Sequence, residues 1–225
     1  MRILQTNFHR GWGGQPSRIL MMSRVMAAGG HDVVLAAPPG SMLAGRARQA
    51  GLQVFEGLAF RKPKFLLDAL HDTGALARHL RRMDYDLIDA HGSQDLWTCV
   101  AARGLAGRRA PLVFTRHNTK RVRAHAANRW LYRSQVDHVI AASDSVLERY
   151  DPLFTGDALG RDRVSVVPSA YLPDRFHPGV DGSGVRAELA YSGAVPLIGV
   201  VGRLVADKGQ DDFLRAAAMV LESRK

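Results

Sequence analysis

Short apolar runs alternate with amphipathic stretches along almost the whole chain. The runs at Ile3–Thr6, Val33–Ala36, Gln53–Phe55, Leu87–Ala90, Leu112–Thr115, His138–Ala141, Val164–Val167 and Leu197–Val201 predict eight strands. Most of the intervals between them predict helices. The first helix is the best marked: Pro16 sits in its first turn, Ile19, Leu20, Val25 and Met26 supply an apolar face, and Gly29-Gly30 stops it. Another begins at Ser143 as N-cap, with Val146 and Leu147 facing inward. Strands alternating with helices predict an α/β fold, a Rossmann-like parallel sheet with helices on both faces.

The alternation breaks between Pro168 and Pro196, where Pro168, Pro173, Pro178 and the glycines from Gly179 to Gly184 fall. The expected organisation is a first domain over 1–170, a linker over 171–195 and the start of a second α/β domain over 196–225. One strand with two helices cannot close a core, so the second domain is expected to be incomplete, a truncated piece of a larger one.

At 225 residues and 46% apolar, the composition excludes a disordered chain. No apolar run approaches the roughly twenty residues of a membrane span. The chain turns polar at Gln5-Thr6-Asn7, too early for a signal peptide. Cys99 is the single cysteine, which rules out an internal disulfide, disfavours a thiolate metal site and fits a reducing, cytoplasmic compartment. The net charge of +10 is uneven: residues 1–150 carry 22 Lys/Arg against 11 Asp/Glu, and residues 151–225 carry 9 against 10. Between Asp95 and Asp137 there are nine basic residues and no acidic one. Such a field favours an anionic partner: a phosphorylated substrate, a lipid surface or nucleic acid.

Candidate chemistry gathers where strands end. The run up to Val201 is followed by Gly202-Arg203 and then by Lys208-Gly209, which opens a helical pattern. Two cations beside free helix N–H groups suit a phosphate or diphosphate; two solvated loop cations are the plainer alternative. Gly11-Trp12-Gly13-Gly14-Gln15-Pro16 lies between the first strand and the first helix. It lacks the third glycine of a dinucleotide fingerprint, and the second strand runs into Ala37-Pro38 without an acid, so a nicotinamide fold is disfavoured. A tight turn and a ligand contact are both open for these glycines. His91 follows one predicted strand and His117 the next, and in open parallel sheets ligands bind at such carboxyl ends. The pair suits hydrogen bonding around a sugar, although for either histidine alone a structural or polar-loop role is the favoured reading. Asp84-Tyr85-Asp86 is set aside as a metal site because it leads into a strand instead of following one.

These segments together resemble a retaining GT-B glycosyltransferase of the family-4 type, over its N-terminal domain and the start of its C-terminal domain. The resemblance implies that Arg203 and Lys208 hold the diphosphate of a nucleotide-sugar donor. It implies that Gly13 and Gly14 line the cleft and that His117, chiefly, and His91 lie close to acceptor and donor sugar, with Arg116 and Asn118 as neighbours. Transfer to a hydroxyl acceptor with retention, no metal or other cofactor, and a glycan or lipid-linked acceptor in envelope polysaccharide or lipopolysaccharide assembly are what it further implies. Pro168-Ser169-Ala170-Tyr171-Leu172 stands where the family carries Pro-Asn-Gly followed by Val or Ile and Asp, while Phe176-His177-Pro178 follows as expected. The family's paired glutamates fall beyond Lys225, so a non-catalytic docking module is the competing expectation.

The basic segment adds a membrane question. On a helical wheel Arg121, His125, Arg129 and Arg133 share a face with Tyr132, opposite Val122, Ala126, Ala127, Trp130 and Leu131. An ordinary crossover helix is the favoured reading, and a helix lying on anionic lipid the alternative. Arg61-Lys62-Pro63-Lys64 before Phe65 is a second candidate for membrane contact. No RNA- or DNA-binding signature accompanies the charge, which disfavours nucleic acid.

Overall fold

The computed structural model describes residues 1–60, 66–107, 110–174, 176–191 and 196–223. The Arg61–Lys64 cluster lies outside the described residues. The chain divides into two compact units, Met1–Ala170 and Tyr171–Lys225.

In the first unit seven strands form one parallel sheet: β1 (Arg2–Thr6), β2 (Asp32–Ala36), β3 (Gln53–Phe55), β4 (Leu87–Ala90), β5 (Leu112–Arg116), β6 (His138–Ala141) and β7 (Val164–Val166). Their spatial order is β3-β2-β1-β4-β5-β6-β7. The chain winds outward from β1 to β3, then crosses back to place β4 on the other side of β1. The helices are α1 (Gly14–Ala28), α2 (Met42–Gln49), α3 (Leu66–Arg82), α4 (Ser93–Ala106), α5 (Ala126–Ser134) and the short α6 (Asp144–Leu147) and α7 (Asp151–Phe154). The expected Rossmann-like α/β fold is the one observed.

Register explains the layers. Leu4 pairs with Val34 and Ile88, and Ile88 with Leu112, so one row of apolar side chains crosses four strands on one face. Together with Leu76, Leu80, Leu96, Cys99 and Leu131 it forms the larger core. On the other face Leu35 packs with Ile19 of α1 and Leu43, Ala44 and Ala47 of α2. Because strand side chains alternate, Gln5, Asp89 and Thr115 belong to this second face.

Several local expectations are corrected. Gly30 ends α1 at φ +84°, where a side chain is disfavoured, but Val25 is exposed, and Pro16, Arg18, Ile19 and Ser23 are the residues of α1 that are buried. Ser143 stands at the N-cap of α6 without a capping bond from its side chain. The basic helix starts only at Ala126, with the His125 side chain accepting from the Asn128 N–H. Arg121 therefore lies outside the helix, Tyr132 is buried and Trp130 is exposed. Arg129 turns inward to the carbonyls of Ala124 and Gly156. The wheel failed because the side chains inside are chosen by the sheet and by the chain around α6 and α7, which bury Tyr132 against Tyr150.

The second unit contains α8 (Ser183–Glu188) and α9 (Gln210–Glu222). The strand expected at Leu197–Val201 is not formed: the segment joins no ladder among the described residues, and Ile198 and Val201 are exposed. A strand persists only where a neighbour takes up its N–H and C=O groups, and among the described residues none lies beside it.

Candidate functional site

The winding reverses between β1 and β4, and the carboxyl edge of an open α/β sheet beside such a reversal is the usual ligand position. Asn7 follows β1 there, His91 follows β4, and His117 follows β5 one strand further on. Two residues before each histidine, on the same face of its strand, stands a buried polar residue: Asp89 before His91 and Thr115 before His117. Gln5 of β1 pairs in register with Asp89.

These residues bond to one another. Thr115 Oγ1 donates to Asp89 Oδ1 at 2.8 Å. The Gln5 amide nitrogen serves Asp89, and its Oε1 meets His91 Nε2 in a short contact. His91 Nε2 also lies 3.4 Å from Asp89 Oδ2. A carbonyl and a carboxylate can only accept, so His91 carries its proton on Nε2. Its Nδ1 is then the acceptor for His117 Nε2–H at 2.9 Å, and the lone pair of His117 falls on Nδ1. The rings lie 5.2 Å apart at 28°, near stacking.

Burial dominates the electrostatics. It holds both imidazoles neutral, with pKa values lowered to about 3; Arg18 lowers both further, and His91 and His9 also lower that of His117. The His91–Asp89 approach is thus a hydrogen-bonded contact of a neutral ring, not an ion pair. Burial also pushes the Asp89 carboxyl up to about 7, against the bonds from Thr115 and Gln5 and the charge of Arg18. Arg18 is itself buried, donating to the Val167 carbonyl at 2.8 Å and to Ser169 Oγ at 3.1 Å. Desolvation lowers its pKa, and Asp89 offsets part of that.

A second carboxylate fixes the loop carrying His91. Asp95, in the first turn of α4, reaches back to accept from the His91 N–H at 3.0 Å and from Thr6 Oγ1 at 2.7 Å. Burial raises its pKa to about 6. Gly92 lies between: a Cβ there would come 2.2 Å from Phe8 Cε1 and 2.7 Å from Asp95 Oδ1.

The remaining expected residues are placed as follows. Gly13 precedes α1 and Gly14 opens it; a Cβ at either would meet nothing within 4 Å, so packing does not demand glycine there. Arg116 is buried and bonds the Asn118 and Lys120 carbonyls and Asn118 Oδ1, with its guanidinium 5.4 Å from the Tyr150 ring. It shapes the loop after His117 instead of facing outward, and Asn118 is part of the same brace. Arg203 and Lys208 belong to the second unit and are exposed, on the loop before α9. Gln210 Nε2 bonds the Arg203 carbonyl at 2.9 Å, and Gly209 turns the chain into α9 at φ +67°. The first turn of α9 carries Asp211 and Asp212, which already complement its dipole.

The sequence reading missed Gln5, Asp89, Asp95 and Arg18. The signal was present: a carboxylate or amide inside an otherwise apolar central strand is costly to bury, so it marks a network.

A D-inositol 3-phosphate glycosyltransferase of Nocardia farcinica is 30% identical over 152 residues, 61% of this chain and 32% of that protein. A glycosyltransferase of Rickettsia africae superposes with a TM-score of 0.79 at 16% identity, over 97% of this chain and 57% of that one. Anabaena HepE, solved with UDP and glucose, gives 0.71 at 19% identity, over 97% and 58%. This chain therefore spans about a third of its curated relative and somewhat over half of the solved chains, and the structural likenesses speak to fold. Residues 12–175, which include both histidines, Arg18, Asp89, Asp95 and Thr115, match the model of Glycosyltransferase Family 4, and the chain belongs to that family.

Proposed function

We propose that this chain takes part in moving a sugar from a nucleotide-sugar donor to a hydroxyl acceptor, with retention of configuration. The observation that carries the reading is the neutral His91–His117 pair at the carboxyl edge of the sheet, ordered by Gln5 and Asp89 so that His117 offers a lone pair. A neutral imidazole acceptor suits a sugar hydroxyl, which donates and accepts at similar strength, and does not attract a competing anion. Among the relatives, HepE was solved with UDP and glucose, and the Nocardia protein is named for an inositol phosphate acceptor.

In this reading His117 touches substrate, while His91, Gln5 and Asp89 are positioning residues. The Gly13-Gly14 loop gives a sugar or phosphate access to the N–H groups opening α1. Arg203 and Lys208 take the diphosphate and stabilise the charge that grows on it as the glycosidic bond breaks. Those two cations do the work a metal would otherwise do, so transfer persists in a chelator. The acceptor is a glycan or lipid-linked hydroxyl of an envelope polysaccharide or lipopolysaccharide, and the reaction runs in the cytoplasm. Among the described residues no helix is long and apolar enough to cross a membrane.

A panel of nucleotide-sugars screened by saturation-transfer NMR against the chain and its His117→Ala variant tests this. At least one nucleotide-sugar should show contacts to both its sugar and its nucleotide, with the sugar contacts weakened in the variant. Binding of none, or binding unaffected by His117→Ala, would sink the assignment.

A further inference from the structure

The outer surface of the first unit leaves two tryptophans side by side in solvent. Trp97 of α4 and Trp130 of α5 are 38% and 48% exposed, and their rings stack 6.1 Å apart at 17°. From Trp97 the exposed stripe of α4 continues through Ala101 to Leu105, which is 55% exposed. The i, i+4, i+8 spacing lines these side chains along one face. α5 commits Leu131 and Tyr132 to the core and turns Trp130 outward.

The segment that carries the pair is basic, with Glu148 and Asp151 the carboxylates beside Arg121 and Arg129. Both tryptophans fall in the interval between Asp95 and Asp137 that holds no acidic residue. Asp95 itself is sealed inside, and Asp137 is taken up by Arg103 and the Leu112 N–H. Lys120, Arg121 and Arg123 are exposed on the segment leading into α5, and Arg133 one turn beyond Trp130.

We propose that the face centred on Trp97 and Trp130 docks the protein on an anionic lipid bilayer. Indole rings settle at the depth where headgroups meet acyl chains, apolar body inward and N–H in the wet layer. The excess of exposed cations at Lys120, Arg121, Arg123 and Arg133 draws the same face to anionic headgroups, and the two attractions reinforce each other. The occupant is a lipid surface because the tryptophans, not the cations, occupy the centre; a phosphate backbone would call for the reverse arrangement. Arg129 takes no part in this face, since it is engaged with backbone carbonyls. The inference stands independently of the glycosyl-transfer reading.

The full chain carrying Trp12→Phe, so that only Trp97 and Trp130 fluoresce, is mixed with vesicles of phosphatidylcholine alone or of equal parts phosphatidylcholine and phosphatidylglycerol. Co-sedimentation reads binding, and quenching by brominated acyl chains reads insertion. The chain should sediment with the anionic vesicles, show quenched indoles and detach as salt shortens the screening length. Replacing both tryptophans, Trp97→Ser with Trp130→Ser, in the otherwise native chain should weaken partitioning about tenfold or more, with the far-ultraviolet circular dichroism unchanged. Absence of binding to anionic vesicles, binding with unquenched indoles, or binding indifferent to the double substitution would each overturn the proposal. So would a dimer abolished by that substitution, or a preference for short DNA over vesicles.

Discussion

His91 Nδ1 lies 2.9 Å from His117 Nε2, and the partners of His91 decide which of these nitrogens holds the proton. Gln5 Oε1 and Asp89 Oδ2 both accept on the Nε2 side, so His91 must receive on the other. The chemistry offered by a partly exposed ring on β5 is therefore set from β1, two strands away.

That dependence gives the first prediction. Gln5→Leu removes the acceptor of a buried N–H and one donor to Asp89, at a cost of about 1–3 kcal/mol in unfolding free energy. Long-range nitrogen–proton NMR correlations should report the Nε2–H tautomer for both rings in the native chain. In the variant His91 should shift toward mixed tautomers, and His117 should follow. A fixed His117 tautomer in Gln5→Leu would show that the relay does not operate.

Gly92→Ala is predicted to destabilise more than a loop substitution ordinarily does. The added methyl would overlap the Phe8 ring and the Asp95 carboxylate, neither of which can withdraw without breaking packing or the Thr6 and His91 bonds. A loss of about 1–3 kcal/mol in urea unfolding is expected. Gly13→Ala, with open space around its Cβ, should stay within about 0.5 kcal/mol of the native chain.

Much of this architecture was legible in the residues. Seven of the eight apolar runs became strands at nearly their expected bounds because each pairs with at least one neighbouring strand. Leu197–Val201 has the same composition and fails for want of such a neighbour. His91 and His117 could be found because they follow apolar runs and stand at strand ends. Asp89, Thr115 and Gln5 were read through as strand interior, since their side chains become a network only when β1, β4 and β5 are placed adjacent. Adjacency of β1 and β4 is a fact of topology, set 84 residues apart where Gln5 meets Asp89, and no local window carries it. The fate of Arg116 and Arg129 was hidden for a related reason: a guanidinium that looks available in sequence is drawn to whichever carbonyls the fold leaves short of donors.

The second unit supplies a prediction about affinity. Arg203 is exposed, so Arg203→Ala should leave the unfolding transition unmoved while lowering affinity for UDP about tenfold, the loss of one charge-assisted bond. Lys208→Ala should act in the same direction. Calorimetric titration with UDP checks both, and equal affinity in native and variant chains would remove the loop before α9 from the donor site.

The acid–base groups of the first unit predict opposite pH dependences. The folded pKa of His117 is about 3, below the roughly 6.5 of an unfolded histidine. Between those values the unfolded chain takes up a proton that the folded chain refuses. The contribution of this group is therefore complete above about pH 6.5 and is lost as pH falls toward 3. Asp89 has the reverse sign: its folded pKa of about 7 exceeds the unfolded value of about 3.9. The folded chain keeps the extra proton across that window, and stability declines as pH rises through it. His117→Gln should thus gain on the native chain as pH falls below about 6.5, and Asp89→Asn should gain as pH rises from about 4 to 7. Each slope is bounded by about 1.4 kcal/mol per pH unit. Because the two slopes oppose, the native chain should show a flatter profile between about pH 4 and 6.5 than either variant. Urea unfolding across that range reads all three curves, and parallel curves would mean that neither group is shifted by its burial.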